Sequence, residues 1–394
     1  MPSLSRTLVA TARDRASKLP IVTVTGPRQS GKTTFCKAVW ANKPYVLLET
    51  PDVLARALAD PRDFLDRLKG GAILDEIQNA PVLLSYLQGI TDADPTPGAW
   101  ILTGSQHFAI VEGISQSLAG RPAMLELQPF SVEELREAFP GRELAEHALN
   151  GGYPRIWTGG VDRSSWLADY VMNYIERDLR RIVEIGDLAT FLTFLRLCAG
   201  RTGQVLNVAS LGEDAGVTHT TARRWLSALE ASYVVHRLPP VHRNVSKRLV
   251  KSPKLHFLDT GLACHLLGIR DANDFAFHPL RGALFESWVV SEIRKARIHR
   301  GLQPDLAYYR EGTGREVDLV VERGLDPIVV EIKSSVTAPL DAAKALLPAV
   351  ETLGRASVAS RSITKRVVYA GNERFSVQGT EFVPWNGLDR VAWS

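Results

Sequence analysis

Residues 21–34 read Ile-Val-Thr-Val-Thr-Gly-Pro-Arg-Gln-Ser-Gly-Lys-Thr-Thr, and Phe-Cys-Lys-Ala-Val-Trp follows at 35–40. A β-branched apolar run breaks into the spacing G-x-x-x-x-G-K-T at Gly26–Thr33, and a helix-forming stretch continues from it. Strand, glycine-rich turn and helix together give that spacing its physical meaning: successive backbone N–H groups can wrap a β-phosphate, and the helix N-terminus adds a favourable dipole. The candidate cofactor-binding residues are Gly26, Pro27, Arg28, Gln29, Ser30, Gly31, Lys32, Thr33 and Thr34. Lys32 is expected to reach the β- and γ-phosphates, and the Thr33 hydroxyl to sit on Mg²⁺. The expected ligands are therefore ATP and Mg²⁺.

Outward from this loop, the first 130 residues alternate short apolar runs with helix-length stretches. The runs are IVTVTG (21–26), YVLLET (45–50), GAILDE (71–76), AWILTGS (99–105) and AMLELQPF (123–130). Runs of this length with this spacing predict buried parallel strands in an α/β sheet. In GAILDE, four small or apolar residues end in two carboxylates at a strand's C-terminal edge, where α/β sheets place ligands. Asp75 is read as the group that holds the Mg²⁺ shell and Glu76 as the group that polarises attacking water.

The chain has 394 residues, 45% of them hydrophobic and 23% charged, which is ordinary composition for a globular protein of two or three domains. A formal net charge of +4 permits a nucleic-acid partner without demanding one. Cys36, Cys198 and Cys264 are scattered, with no Cys-x-x-Cys pair, so the expectation is reduced thiols in a cytoplasm. No apolar run approaches the length of about 18 residues needed to cross a bilayer, so no membrane is expected.

The middle of the chain, 151–270, is read as helical. Residues 206–231, LNVASLGEDAGVTHTTARRWLSALEA, predict a short helix, a turn and a second helix starting at Thr218. Ala222, Trp225, Leu226 and Leu229 recur at helical spacing and are expected in the core, which turns His219, Thr220, Arg223 and Arg224 outward. YVVHRLPPV follows as the expected strand of a wing, making this a winged-helix candidate. Small polar and Arg groups on such a face suit DNA, and Arg243, Lys247 and Arg248 add basic candidates beside it, in a run that continues to Lys251 and Lys254. The competing reading is a lid or protein-contact module with an ordinary solvated face.

Residues 280–298 are read as a strongly amphipathic helix, followed by strand-like runs at 306–310, 316–322, 327–333 and 366–371. Asp318 and Glu331 are equidistant from the turn at Arg323-Gly324-Leu325-Asp326, so a symmetric hairpin sets them opposite each other, where two carboxylates can bind Mg²⁺ or Mn²⁺. Lys333 shares a strand face with Glu331. The spacing Asp…Glu-x-Lys resembles the PD-(D/E)xK nuclease motif, and Glu286 matches the extra acid such nucleases carry on a preceding helix.

Taken together, GPRQSGKTT, AILDEIQNAP, ILTGSQ, SLAGR, LQPFSVEEL, GGYPR, YIERDL, KSPKLHFLDTGLA, GALFESWVV and GREVDLVVE…VVEIKSS span nearly the whole chain. In that order they resemble the bacterial and archaeal AAA-type ATPases whose C-terminal half is a nuclease-like domain of unknown function. The resemblance implies a parallel-sheet P-loop AAA-type core over 1–150, a helical winged-helix region over 151–270, and a mixed α/β PD-(D/E)xK-like domain over 271–394. It further implies a γ-phosphate-sensing residue on the strand between the two nucleotide motifs, with Ser105 the first choice and Thr103 behind it. Arg121, in SLAGR, becomes a candidate arginine finger reaching a neighbouring subunit of a homo-oligomer. The leading expectation is an ATPase that remodels or moves along DNA, branched DNA included. The alternatives are an ATP-gated, metal-dependent DNA nuclease built on Glu286, Asp318, Glu331 and Lys333, and an ATP-switched protein-binding module with an inactive nuclease fold.

Overall fold

The computed structural model describes residues 4–104, 122–175, 187–241, 252–312, 314–324, 326–355 and 362–393. All five N-terminal apolar runs are strands: β1 (Ile21–Thr25), β2 (Tyr45–Leu47), β3 (Ile73–Asp75), β4 (Trp100–Thr103) and β5 (Pro122–Glu126). They form one parallel sheet in the order β2-β3-β4-β1-β5. Alternate residues feed two cores. Val22, Val24, Ile73 and Ile101 pack with Leu8, Ala12, Phe35 and Cys36 from the helices Leu8–Ala16 and Lys32–Val39. Ile21, Leu74, Trp100 and Leu102 pack with Leu83, Leu84 and Leu87 of the helix Val82–Ala93. Burial on both faces is why these strands read as continuous apolar runs rather than alternating ones. The order sets β4 between β1 and β3, so the C-terminal ends of three strands, at Thr25, Thr103 and Asp75, lie side by side.

The middle part is helical around a core that includes Tyr153, Phe191, Phe194 and Trp225. The two helices expected near 206–231 are Val208–Asp214 and His219–Ala231, and the Thr218 hydroxyl caps the second by accepting from the Thr221 N–H. Ala222, Trp225, Leu226 and Leu229 are buried, while His219, Thr220, Arg223 and Arg224 are exposed, as the helical spacing predicted. A three-stranded antiparallel sheet completes this part: β6 (Gln204–Val205), β7 (Val235–Leu238) and β8 (Lys254–Phe257), in the order β6-β8-β7. Its central strand, β8, was not expected from the sequence. Arg243, Lys247, Lys251 and Arg248 lie outside the described residues, as does most of YIERDLRRIVEI.

The C-terminal sheet has six strands: β9 (Leu306–Arg310), β10 (Glu316–Val321), β11 (Ile328–Lys333), β12 (Thr364–Tyr369), β13 (Phe375–Val377) and β14 (Thr380–Pro384). They run in the order β13-β14-β12-β11-β10-β9, with parallel β11–β12 and β12–β14 pairs in an otherwise antiparallel ladder. The helix Arg281–Ile298 departs from the amphipathic form expected over 280–298. Instead of one apolar stripe facing a core, it is buried on most sides, with Ser287, Ser291, Glu292, Lys295 and Arg297 all out of solvent. The helix runs between the three parts of the molecule, and its charged side are partnered: Lys295 Nζ donates to Glu292 Oε1 (2.8 Å) and to the Phe130 carbonyl (3.0 Å).

Candidate nucleotide site and the C-terminal carboxylate centre

The nucleotide-site residues converge at the carboxyl ends of β1, β3 and β4. The loop Gly26–Gly31 leaves β1 through three positive-φ positions, Gly26 (φ 141°), Gln29 (φ 61°) and Gly31 (φ 91°). Gly26 must be glycine, because a Cβ there would lie 2.2 Å from the Leu127 carbonyl oxygen. Lys32 is buried and its ammonium folds back to donate to the carbonyls of Gly26 (3.0 Å) and Pro27 (2.8 Å). The Ser30 hydroxyl is buried without a hydrogen-bond partner among the described residues.

Asp75 is 2% exposed and accepts from three hydroxyls. The Thr33 and Tyr45 hydroxyls both donate to Oδ2 at 2.7 Å, and Thr103 donates to Oδ1. Thr103 also accepts from the Glu76 N–H at 3.4 Å. Glu76 itself is left-handed (φ 59°, ψ 48°), a conformation that costs a non-glycine residue on the order of 1–3 kcal/mol and collects at functional sites. Burial and the bond to Asp75 raise the Tyr45 phenol above its ordinary pKa. The sequence reading of Lys32, Thr33, Asp75 and Glu76 is thus brought together in one place, with Thr103 between the two motifs. Ser105 and Arg121 lie outside the described residues. Thr34 is exposed on the first turn of its helix.

An ATP–Mg²⁺ ligand fits this arrangement on three observations. The Lys32 ammonium donates to the Gly26 and Pro27 carbonyls at the loop itself, the Ser30 hydroxyl is buried with no hydrogen-bond partner among the described residues, and the Thr33 hydroxyl already sits on the Asp75 carboxylate. Two supporting residues carried no sequence signal. Arg6, 8% exposed, donates to the Ser30 carbonyl (3.0 Å), to the Gln128 carbonyl and to Glu134 Oε1 (3.0 Å), tying the loop to the segment after β5. Burial works to raise the Glu134 carboxyl, but Arg6 and His299 outweigh it and hold the group below its ordinary pKa. Tyr233, from the turn before β7, donates to the Thr25 hydroxyl (3.0 Å), one residue before Gly26.

The second constellation lies on the C-terminal sheet. The β10–β11 register pairs Leu319 with Val330, and Asp318 and Glu331 are the next residues on the two strands beyond that pair. A register shift between Val317 and Val320 in the β9–β10 ladder bends the chain at Asp318, whose Oδ2 accepts from the Ile332 N–H (2.8 Å). Lys333 Nζ pairs with Glu331 Oε1 at 2.6 Å. Glu286 also faces this centre, but the cation it meets is an ammonium: Lys254 Nζ lies 2.8 Å from Glu286 Oε1, 2.5 Å from Glu316 Oε1 and 3.6 Å from Asp318 Oδ1. Where the sequence suggested carboxylates gathered round a divalent metal, no three His, Cys, Asp or Glu groups among the described residues are arranged to hold a metal ion. Lys254 also departs from its expected place on a solvated, phosphate-facing run, being 1% exposed. Burial and Asp318 push the Glu286 carboxyl up to about 8 and the Glu331 carboxyl up to about 7. For Lys254, burial acts downward, but Glu286, Asp318 and Glu316 outweigh it and hold the ammonium above its ordinary pKa. Glu316 and Lys254 carried no motif signal of their own.

Comparison with known proteins matches residues 18–136 to an AAA domain, and residues 141–273 and 281–388 to two domains of unknown function, DUF8612 and DUF4143. An uncharacterized protein of Mycobacterium tuberculosis is 33% identical over 381 residues, covering 95% of this chain and 82% of its own. An uncharacterized protein of Mycobacterium bovis matches with the same identity and coverage. Among solved structures, a Walker-type ATPase of Pyrococcus abyssi is similar at a TM-score of 0.41 and 15% identity, over 66% of this chain and 94% of that one.

Proposed function

The chain belongs to the family of AAA-domain proteins that includes these two mycobacterial relatives, and from that premise we propose that it is an oligomeric ATPase acting on DNA. The observation that carries the ATPase reading is the carboxylate of Asp75, buried at the end of β3 and bonded to the Thr33 hydroxyl that begins the helix after the phosphate loop. In this reading Gly26–Thr34 bind the nucleotide phosphates, and Lys32 exchanges its bonds to the Gly26 and Pro27 carbonyls for phosphate oxygens. Thr33 and Asp75 would hold Mg²⁺, which supplies neutralisation of the phosphate charge. Glu76, held by its left-handed backbone and the Thr103 contact, orients and polarises water. Thr103, with Ser105 beyond it, senses the γ-phosphate, and Arg121 serves a neighbouring subunit's nucleotide.

The DNA role rests on the exposed His219, Thr220, Arg223 and Arg224 of a capped helix in a winged-helix-like part that ends in a small antiparallel sheet. It predicts that steady-state ATP turnover rises with one DNA form among single strands, duplex and four-way junctions. The rise should fade at physiological salt, and in Arg223→Ala/Arg224→Ala, because phosphate contacts are salt-sensitive. A rate indifferent to every DNA form would end the DNA reading and leave an ATP-switched protein-binding module. Sedimentation equilibrium with ATP and Mg²⁺ is expected to show an oligomer; a monomer would remove Arg121 from its proposed place.

A further inference from the structure

The C-terminal carboxylate centre is charged like a metal site, yet it already holds a cation. Glu286 comes from the helix Arg281–Ile298, Glu316 and Asp318 from β10, and Glu331 from β11. Lys254 reaches them from β8, which belongs to a different sheet. Its ammonium donates to Glu286 Oε1, pairs with Glu316 Oε1 and lies within ion-pair distance of Asp318 Oδ1, and it is 5.5 Å from the centroid of the Tyr308 ring. β8 is the central strand of its sheet, with Lys254 registered against Val205 on one side and Leu238 on the other, so the backbone carrying the lysine is held by two ladders. The two sheets are also joined directly: the Tyr308 N–H donates to the Pro239 carbonyl and the Val241 N–H to the Tyr308 carbonyl, both at 2.9 Å.

A divalent cation on these oxygens would need metal–oxygen distances of roughly 2.0–2.6 Å. Lys254 Nζ lies at hydrogen-bond distance from Glu286 Oε1 and Glu316 Oε1, so both cations would crowd the same two atoms. At 1% exposure the lysine has no solvent to retreat into.

We propose that Lys254 is the resident cation of this centre, filling the position a divalent metal would take, so that the nuclease-like carboxylates work as a clasp between the middle and C-terminal parts. The clasp holds β8 against β10 and the helix Arg281–Ile298 through charge-assisted bonds that are buried and therefore strong only while complete. The assignment goes beyond the ATPase reading and stands whether or not that ATPase works on DNA.

Mn²⁺ titration of the nucleotide-free full-length protein, followed by electron paramagnetic resonance of the free ion, tests it. Wild type and Asp318→Asn are expected to take up the same amount of Mn²⁺, and Lys254→Met to gain one site that Lys254→Met/Asp318→Asn loses again. A wild-type Mn²⁺ site abolished by Asp318→Asn would overturn the proposal, as would a folded Lys254→Met that gains no site. If circular dichroism shows Lys254→Met unfolded, the wild-type and Asp318→Asn pair decides alone. Equal uptake supports the resident lysine and a loss in Asp318→Asn rejects it.

Discussion

Asp75 shows how much one residue's chemistry depends on neighbours far away in sequence. Its position was legible because four small or apolar residues run into two acids, a pattern with a known place at a parallel strand's end. Its hydroxyl partners were only partly legible, since Thr103 was a second choice and Tyr45 carried no signal at all. Parallel register explains Tyr45: β2 pairs with β3 so that Tyr45 lies beside Ile73 and Leu47 beside Asp75, and no local pattern announces such a pairing. Thr103→Val keeps the shape but removes the donor to Asp75 and the acceptor for the Glu76 N–H. It is expected to slow kcat by about tenfold or more, the equivalent of one lost hydrogen bond of about 1–2 kcal/mol, with ATP affinity little changed. His236 gives a prediction in pH. Burial pushes its imidazole down to about 3, and its Nε2 has no partner among the described residues. Below the ordinary value of about 6.5, the unfolded chain binds a proton that the folded one refuses, so the His236 contribution is lost as pH falls from about 6.5 towards 3. His236→Gln should therefore gain stability relative to wild type as pH is lowered through that window, measured as urea midpoints at successive pH values. A difference independent of pH would contradict the buried neutral imidazole.

Elements were most legible where period and length agreed. The five parallel strands, the capped helix at His219–Ala231 and the β10–β11 hairpin all announced themselves through runs or spacing. β13 and β14 did not, because Phe375–Val377 and Thr380–Pro384 are short and half polar, covered by neighbours rather than by their own pattern. Nor did β8, since Lys-Leu-His-Phe carries a buried lysine and histidine whose partners come from elsewhere. The helix Arg281–Ile298 misled for the same reason: its polar residues looked like a solvated face, but they meet partners from two other parts. Two quoted motifs, GGYPR and LDTGLA, turn out to interlock. Buried Asp259 accepts from the Gly152 N–H (2.8 Å) and caps its own helix by accepting from the Leu262 N–H (3.1 Å). Gly152 exchanges backbone contact with Phe130, and a Cβ there would lie 2.3 Å from the Phe130 carbonyl oxygen. Gly152→Ala is expected to destabilise by about 2 kcal/mol or more, since backbone rather than a flexible side chain must move. Thermal unfolding checks it, and an unchanged midpoint would show that this junction is loose.

Across the whole molecule, three parts are locked by buried charge. Arg294 makes a bidentate bond to Glu126 on β5, with its longer arm at 3.0 Å, and the Glu292 carboxylate accepts from the Val132 N–H (2.7 Å). The change from α/β to helical to mixed character was legible along the chain, but these crossings were not, because they join residues more than a hundred positions apart. Arg294→Ala would take the guanidinium away from the Glu126 carboxylate and should cost about 3–5 kcal/mol, whereas Arg294→Met/Glu126→Met should recover most of that loss. Denaturant midpoints for the two variants provide the measurement, and equal losses would contradict the pairing. The nucleotide site sits at this junction, with Arg6 on the Ser30 carbonyl and Tyr233 on Thr25, so ATP-driven change at the loop has a physical route into the other parts. The loop Gly26–Thr33 with Asp75 and Glu76 is proposed to hydrolyse ATP. Single-turnover hydrolysis of radiolabelled ATP, paired with filter binding, tests it most directly in wild type, Lys32→Ala and Glu76→Gln. Turnover is expected in wild type, tight binding without appreciable turnover in Glu76→Gln, and loss of both in Lys32→Ala; undiminished hydrolysis in Lys32→Ala would overturn the assignment.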